Sequence, residues 1–165
     1  MSAGTPSSWQ VRDALATDLD DIMLLERAIF PTDAWSTESM RAELVSEHGR
    51  YLVACPDDAP ERIDAYAGLL APLGSPDADI QTIAVAPSAR RHGLGRDLIT
   101  RLCDEAMRRG ANTIFLEVRV DNLGAQALYR SLGFEDIAVR PHYYQPDDVD
   151  ALVMRRSLRT VKDPS

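Results

Sequence analysis

Lysine is nearly missing from this chain: of its 18 basic residues, all but Lys162 are arginine. Bases are also outnumbered, 18 against 26 Asp and Glu, for a net charge of −8. Holding a phosphate backbone calls for a broad basic surface, so nucleic acid is not expected as a partner. Cysteine is scarce too. Cys55 and Cys103 lie far apart, with no C-x-x-C pair and no clustered histidines, so neither a metal site nor a disulfide framework is suggested. No apolar run approaches the ~18–20 residues of a membrane span, and the opening MSAGTPSSWQVRD lacks a basic segment followed by an apolar one. A cytoplasmic protein without membrane contact is therefore expected. What is present, 165 residues with 45% apolar and 27% charged, is the balance of one globular domain. That domain is expected over residues 9–158, with 1–8 and 159–165 as disordered tails.

The pattern along the chain alternates strands and helices. A first strand is expected at 9–13. Thr17 and Asp20 then read as a capped helix start, with Leu19, Ile22, Met23, Ala28 and Ile29 at helical spacing as far as Phe30. Pro31 stops that helix. Ser36 caps a second one carrying Met40 and Leu44, which Gly49 is expected to end. Strands follow at 51–55, 63–70 and 80–85, separated by the turns PDDAPER and PLGSPDAD, which suit an antiparallel meander. Leu94, Leu98, Leu102 and Ala106 mark a third helix closed by Gly110. A strand at 113–120, a helix at 122–132 ended by Gly133, and a hairpin of 134–144 with 149–158 complete the order.

Charge is unevenly placed. Residues 13–64 hold 13 acids and four arginines, whereas residues 90–109 hold six arginines and three acids. A compact positive spot on an acidic body suits a small polyanionic ligand, although a solvated helix face would give the same count. The spot includes Arg90-Arg91-His92-Gly93-Leu94-Gly95-Arg96, placed directly between an apolar strand and a helix. Glycines there leave backbone N–H groups unobstructed, and the helix start adds partial positive charge, so the loop is suited to phosphate oxygens. It is neither a Walker loop, since no Gly-Lys-Ser/Thr follows, nor a dinucleotide fingerprint, which needs a third glycine.

In the strand IFLEVRV, Phe115, Glu117 and Arg119 share one face. Partly desolvated among apolar neighbours, Glu117 is suited to act as a base near neutral pH; the plainer reading is an ion pair with Arg119. Tyr129 follows in the next helix, either as core or as a proton donor reaching the same cleft.

The loop R-x-x-G-x-G (Arg90 to Gly95) and the stretch L-E-V-R-x-D-N-x-x-A-x-x-L-Y-x-x-x-G-F (Leu116 to Phe134) resemble the GNAT superfamily of N-acetyltransferases. The continuation through Arg140, Tyr143 and Tyr144 to Asp150, Ala151 and Met154, with Phe30-Pro31 and Trp35 upstream, is similar to its ribosomal-protein alanine N-acetyltransferase branch. The resemblance implies an α/β fold: a mixed sheet splayed between strands four and five, with helices on both faces. It implies acetyl-CoA as donor, its pyrophosphate on the loop from Arg90 through Arg91, His92, Gly93, Leu94 and Gly95 to Arg96. The pantetheine arm would lie beside Ile83 and Val85 and touch Asn122, with a backbone N–H such as that of Val85 facing the charged oxygen of the reacting carbonyl. Glu117 is implied as the base, through water, and Tyr129 as the acid for the departing thiolate. Phe30, Pro31, Tyr143 and Tyr144 would line an acceptor slot for a basic protein N-terminus. One departure is Thr82, where many relatives carry asparagine, which places any polar role there in doubt. Two other functions stay open: acetylation of lysine or a small amine, and a non-catalytic acyl-CoA-binding module.

Overall fold

The computed structural model describes residues 8–158, so the expected tails at 1–8 and 159–165 lie outside the described residues except for Ser8. Seven strands and four helices follow the expected order: β1 Trp9–Asp13, α1 Leu19–Ile29, α2 Thr37–Leu44, β2 Gly49–Pro56, β3 Ala65–Leu70, β4 Asp77–Val85, α3 Leu94–Arg108, β5 Thr113–Arg119, α4 Leu123–Ser131, β6 Glu135–Tyr144 and β7 Val149–Ser157. They build a mixed α/β fold around one sheet of order β1-β2-β3-β4-β5-β7-β6. All neighbours are antiparallel except β4 and β5, which run parallel and pair only through Asp77, Ala78 and Asp79 against Thr113, Ile114 and Phe115. Past that point the two strands part, giving the expected splay.

Helices cover both faces, and strand alternation divides the core between them. In β2, Leu52 and Ala54 point to the cluster built on α3, which adds Leu94, Leu98, Ile99, Leu102, Cys103 and Ala106. Tyr51, Val53 and Cys55 point to the other face, where α1 and α2 bring Leu19, Ile22, Met23 and Met40.

Several expected boundaries differ. Thr17 and Asp20 do not cap the first helix: a short 3-10 turn at Ala16–Asp18 precedes it, and Asp18 accepts the Leu15 N–H at 2.7 Å and the Arg12 guanidinium at 2.7 Å. Ala28 is exposed, and the buried stripe of α1 runs Leu19, Ile22, Met23, Glu26. Gly49 opens β2 instead of ending α2, which stops at Leu44, and Ile63 lies outside β3. Ser36 does cap α2, accepting the Ser39 N–H at 3.0 Å.

Tyr51 sets one tight constraint. Its ring fills the space a side chain at Gly68 would take, and a Cβ there would collide with it. Gly68→Ala is therefore expected to lower stability by about 1–3 kcal/mol, the usual cost of overpacking. Gly124→Ala, in α4 with nothing within 4 Å of its Cβ position, should be neutral or stabilising. Urea unfolding of the two variants checks this contrast; equal midpoints would contradict the packing account.

Candidate active site

On the face carrying α1 and α2, a cavity of about 830 Å³ opens over the parting of β4 and β5. Gln81 from β4 and Phe115 and Glu117 from β5 line it, between the α1–α2 loop at Thr32 to Trp35 and the β6–β7 hairpin at Arg140 and Tyr143 to Gln145. Glu117 is held by the hairpin: Arg140 Nη1 donates to its Oε2 at 2.7 Å and the Tyr143 hydroxyl to its Oε1 at 3.3 Å. It remains 30% exposed, so it is both fixed and reachable from the cavity. The alternative ion pair with Arg119 is not formed, because Arg119 turns to Asp121, Asp147 and Asp33. Burial, then the charge of Glu117, pushes the Tyr143 phenol up; the same causes raise Tyr144, with smaller contributions from Tyr143, Asp33 and Tyr129. Tyr129 does not itself line the cavity and sits in the core cluster on the α3 side of the sheet.

The β4 strand bulges beneath the cavity. Gly68 pairs with Thr82 and Leu69 with Ile80, leaving Gln81 as the extra residue. On that same face the Tyr51 ring reaches across β3 at Gly68 to donate its hydroxyl to Gln81 Oε1 at 3.0 Å. Thr82 also has a polar partner, donating to Glu26 Oε1 at 3.3 Å, while Glu26 Oε2 accepts the Trp35 N–H at 3.0 Å. Glu26 is only 1% exposed, and burial pushes its carboxyl above the ordinary value, with those two hydrogen bonds pulling back. On β4, Asp79 is likewise raised by burial, then by Glu117 and Asp77.

The arginine-glycine loop lies past the parting point, at the far end of β4. Arg91 (φ 68°) and Gly93 (φ 81°) both take left-handed backbone, and the Cβ position of Gly93 faces open space. Among the described residues, the N–H groups of Arg91 to Arg96 donate to no protein acceptor. Of the six arginines in this region, Arg101 pairs with Asp97, and Arg108 and Arg109 pair with Glu105. The positive spot therefore shrinks to Arg90, Arg91 and Arg96, which have no carboxylate partner among the described residues; Arg90 Nε reaches Val85 O at 3.1 Å and Arg96 Nη2 reaches Ser131 Oγ at 2.8 Å. The His92 ring lies 5.0 Å from that of Trp9, and Leu94 is buried in the core. A Cβ at Gly95 would lie 3.1 Å from Leu128 and 3.9 Å from Ile83, so β4, the start of α3 and the second half of α4 converge at the loop.

The remaining expected residues divide. Tyr143 and Tyr144 line the cavity; Phe30 packs into the α1–α2 core and Pro31 is exposed, and the lining of that loop begins one residue later, at Thr32. Asn122 caps α4, accepting the Ala125 N–H at 3.1 Å. Tyr129 is buried beside Phe134, ring centroids 6.0 Å apart, and burial pushes its phenol up. Ile83 and Val85 are half-buried against the α3 side of the sheet, away from the cavity.

Comparison with known proteins identifies this arrangement. Residues 19–134 match the model of the acetyltransferase (GNAT) family. The chain belongs to the GNAT acetyltransferase family. The GNAT chain is 37% identical over 126 residues to the N-alpha-acetyltransferase RimI of Mycobacterium tuberculosis, covering 75% of this chain and 76% of that one. It is 39% identical over 142 residues to an uncharacterised Mycobacterium leprae protein, covering 84% of this chain but 38% of that relative. The crystal structure of the ribosomal-protein-S18-alanine N-acetyltransferase from Escherichia coli superposes with a TM-score of 0.77 at 28% identity, over 96% of this chain and 99% of the other.

Glu26, Asp33, Asp79 and Gln81 of this GNAT site escape a reading by motif. Glu26 had a signal: it stands one helical repeat beyond Leu19, Ile22 and Met23, an acid on an apolar stripe. An acid raised by burial binds more protons folded than unfolded, so the stability it carries is complete at low pH and falls as pH rises above the unfolded carboxylate value of ~4.3. Gln can accept from Trp35 and donate to Thr82, so Glu26→Gln should gain stability relative to the parent as pH increases from 4 to 8. Urea midpoints across that range provide the check, and a difference that shrinks with pH would contradict it.

Proposed function

We propose that the chain transfers the acetyl group of acetyl-CoA to a protein N-terminal α-amine, and that its acceptor is the N-terminal alanine of a small-subunit ribosomal protein. The observation that carries this reading is Glu117, fixed by Arg140 and Tyr143 at the floor of a cavity that opens on the splay. The N–H groups of Arg91 to Arg96, unpaired among the described residues, fit a diphosphate, with Arg90, Arg91 and Arg96 supplying positive charge. The free edge of β4 past Asp79, at Ile83 and Val85, suits an extended arm bearing amides, and Asn122 sits at the start of α4 beside the splay. When bound, acetyl-CoA supplies an acyl carbon activated as a thioester.

The chain's own groups do the rest. Glu117, directly or through a water, takes the proton of the acceptor ammonium; an α-amine has an ordinary pKa of ~7.7–8.0, so a modest base suffices. Tyr129, kept protonated by burial, is the donor to the leaving thiolate. Asp33, Asp79 and Glu117 line the cavity and favour a cationic chain end over an acidic one. The substrate named for the Escherichia coli structure, and the N-alpha-acetyltransferase name of the mycobacterial relative, support an N-terminal amine over lysine. Among the described residues, no helix is long and apolar enough to cross a membrane.

Three variants separate the roles. Glu117→Gln should keep acetyl-CoA binding and lower kcat by ~10²–10⁴, with a smaller deficit at high pH where free amine is abundant. Tyr129→Phe should lower kcat with little change in CoA affinity, and Gly93→Glu should raise the KM for acetyl-CoA steeply. Full rate in both Glu117→Gln and Tyr129→Phe would make these residues structural. With alanine-first basic peptides, mass spectrometry should find acetyl on the α-nitrogen, and blocking that nitrogen should abolish turnover. Equal labelling of lysine in the blocked peptide would overturn the acceptor assignment, and protection of acetyl-CoA without turnover would indicate a binding module.

A further inference from the structure

Arg119 stands two residues beyond Glu117 on the same face of β5, yet it takes no part in the chemistry outlined above. Its guanidinium is where the two loops flanking the cavity meet. Nη1 lies 3.5 Å from Asp33 Oδ2 in the α1–α2 loop and 3.2 Å from Asp147 Oδ2 in the β6–β7 turn. The Thr32 hydroxyl donates to the same Asp147 oxygen at 2.6 Å, so the two loops also touch directly. Asp121 receives Nε at 3.0 Å and Nη2 at 3.1 Å, which fixes the plane of the group, and the guanidinium carbon sits 5.5 Å from the centre of the Tyr144 ring. The Arg119 and Asp33 side chains are 20% and 12% exposed, so the pair is shielded enough for its Coulomb energy to survive salt better than an open surface pair. No single ammonium can satisfy three carboxylates and an aromatic face in this geometry, whereas a planar guanidinium can.

We propose that Arg119 is a positioning residue that clasps the α1–α2 loop to the β6–β7 hairpin across the acceptor cavity, and so sets acceptor affinity without touching donor or reacting atoms. The proposal rests on the acetyltransferase reading for its kinetic consequence but not for its structural one. With the clasp closed, Tyr144 and the segment from Thr32 to Trp35 hold a fixed spacing around an acceptor. With it lost, the two walls move independently and each acceptor must order them on binding, which weakens binding while leaving bound complexes competent.

The test is a double-mutant cycle with hydrogen exchange beside it. Arg119→Ala should raise the KM for the acceptor peptide at least tenfold, leave the KM for acetyl-CoA within twofold and keep kcat at saturating acceptor within threefold. Arg119→Lys should recover only part of the loss. Asp147→Ala should raise the acceptor KM as well, and adding it to Arg119→Ala should raise it little further, because both break one clasp. Without any substrate, hydrogen exchange by mass spectrometry should rise together in peptides covering 31–36 and 143–149 of Arg119→Ala and stay unchanged in β5 and β7. Exchange that rises in β5 and β7, or in neither loop, overturns the clasp whatever the acceptor proves to be. A concerted rise in both loops with no effect on acceptor KM keeps the contact but overturns its role in acceptor affinity. If the parent enzyme acetylates only some other amine, the N-terminal reading fails on its own, and the same cycle is run with that amine.

Discussion

Two parallel strands that pair for three residues and then separate are the constraint on which the rest depends. Backbone N–H and C=O groups in a sheet interior need partners, and a parting of strands in the middle of a seven-stranded sheet leaves two facing edges without them. Such an opening persists only if the surrounding packing holds it. Here α3 and its cluster grip β4 from one face, α1 and α2 grip it from the other, and β7 pairs with β5 along its whole length, from Thr113 to Arg119. The gap is therefore a built feature with rigid sides, suited to receive a guest that can satisfy the edges.

The two faces of that gap are chemically unlike. Toward the end of β4, the arginine-glycine loop offers N–H groups and three arginines that have, among the described residues, no protein acceptor and no acid partner respectively. On the opposite face the cavity carries more acid than base, with Asp33, Asp79 and Glu117 against Arg140 in its lining. An anionic donor and a cationic acceptor can thus approach from different sides and meet without competing for one surface, which is the electrostatic requirement of amine acylation by a phosphate-bearing thioester. Glu117 belongs to the acidic side but stands on the strand that borders the gap, so the base proposed for the reaction is placed at the junction.

Much of this was legible in the sequence for physical reasons. Alternation in IFLEVRV put Glu117 and Arg119 on one face, and glycines between an apolar strand and a helix of i+4 leucines marked the loop. The mixed sheet and its splay followed from resemblance, since three parallel ladder pairs leave no periodic trace, and the strand order came only with the structure. Residues placed by tertiary contact were hidden. Asp33 and Asp147 are 114 positions apart and acquire meaning only through Arg119, and Asp79 gains its character from partial desolvation and the nearby charge of Glu117. Phe30 and Pro31 were assigned to the slot because they flank the right loop, but Phe30 is the C-cap of α1 and turns into the core, so the lining starts at Thr32. Thr82 shows the reverse: its departure from a familiar pattern placed a polar role in doubt, yet it bonds a buried carboxylate that also holds the α1–α2 loop at Trp35.

The central claim is that one continuous passage through the β4–β5 gap joins donor and acceptor at Glu117. A conjugate in which the CoA sulfur is linked through an acetyl bridge to the α-nitrogen of an alanine-first basic peptide spans that passage only if the two sites meet there. Isothermal titration calorimetry of the conjugate, with CoA and the free peptide titrated separately, gives the decisive comparison. The account predicts that the conjugate binds at least ~10²-fold more tightly than CoA alone, because the peptide half binds at a high effective concentration. An affinity equal to that of CoA would mean that the peptide half finds no site at the end of the passage, and would contradict the account.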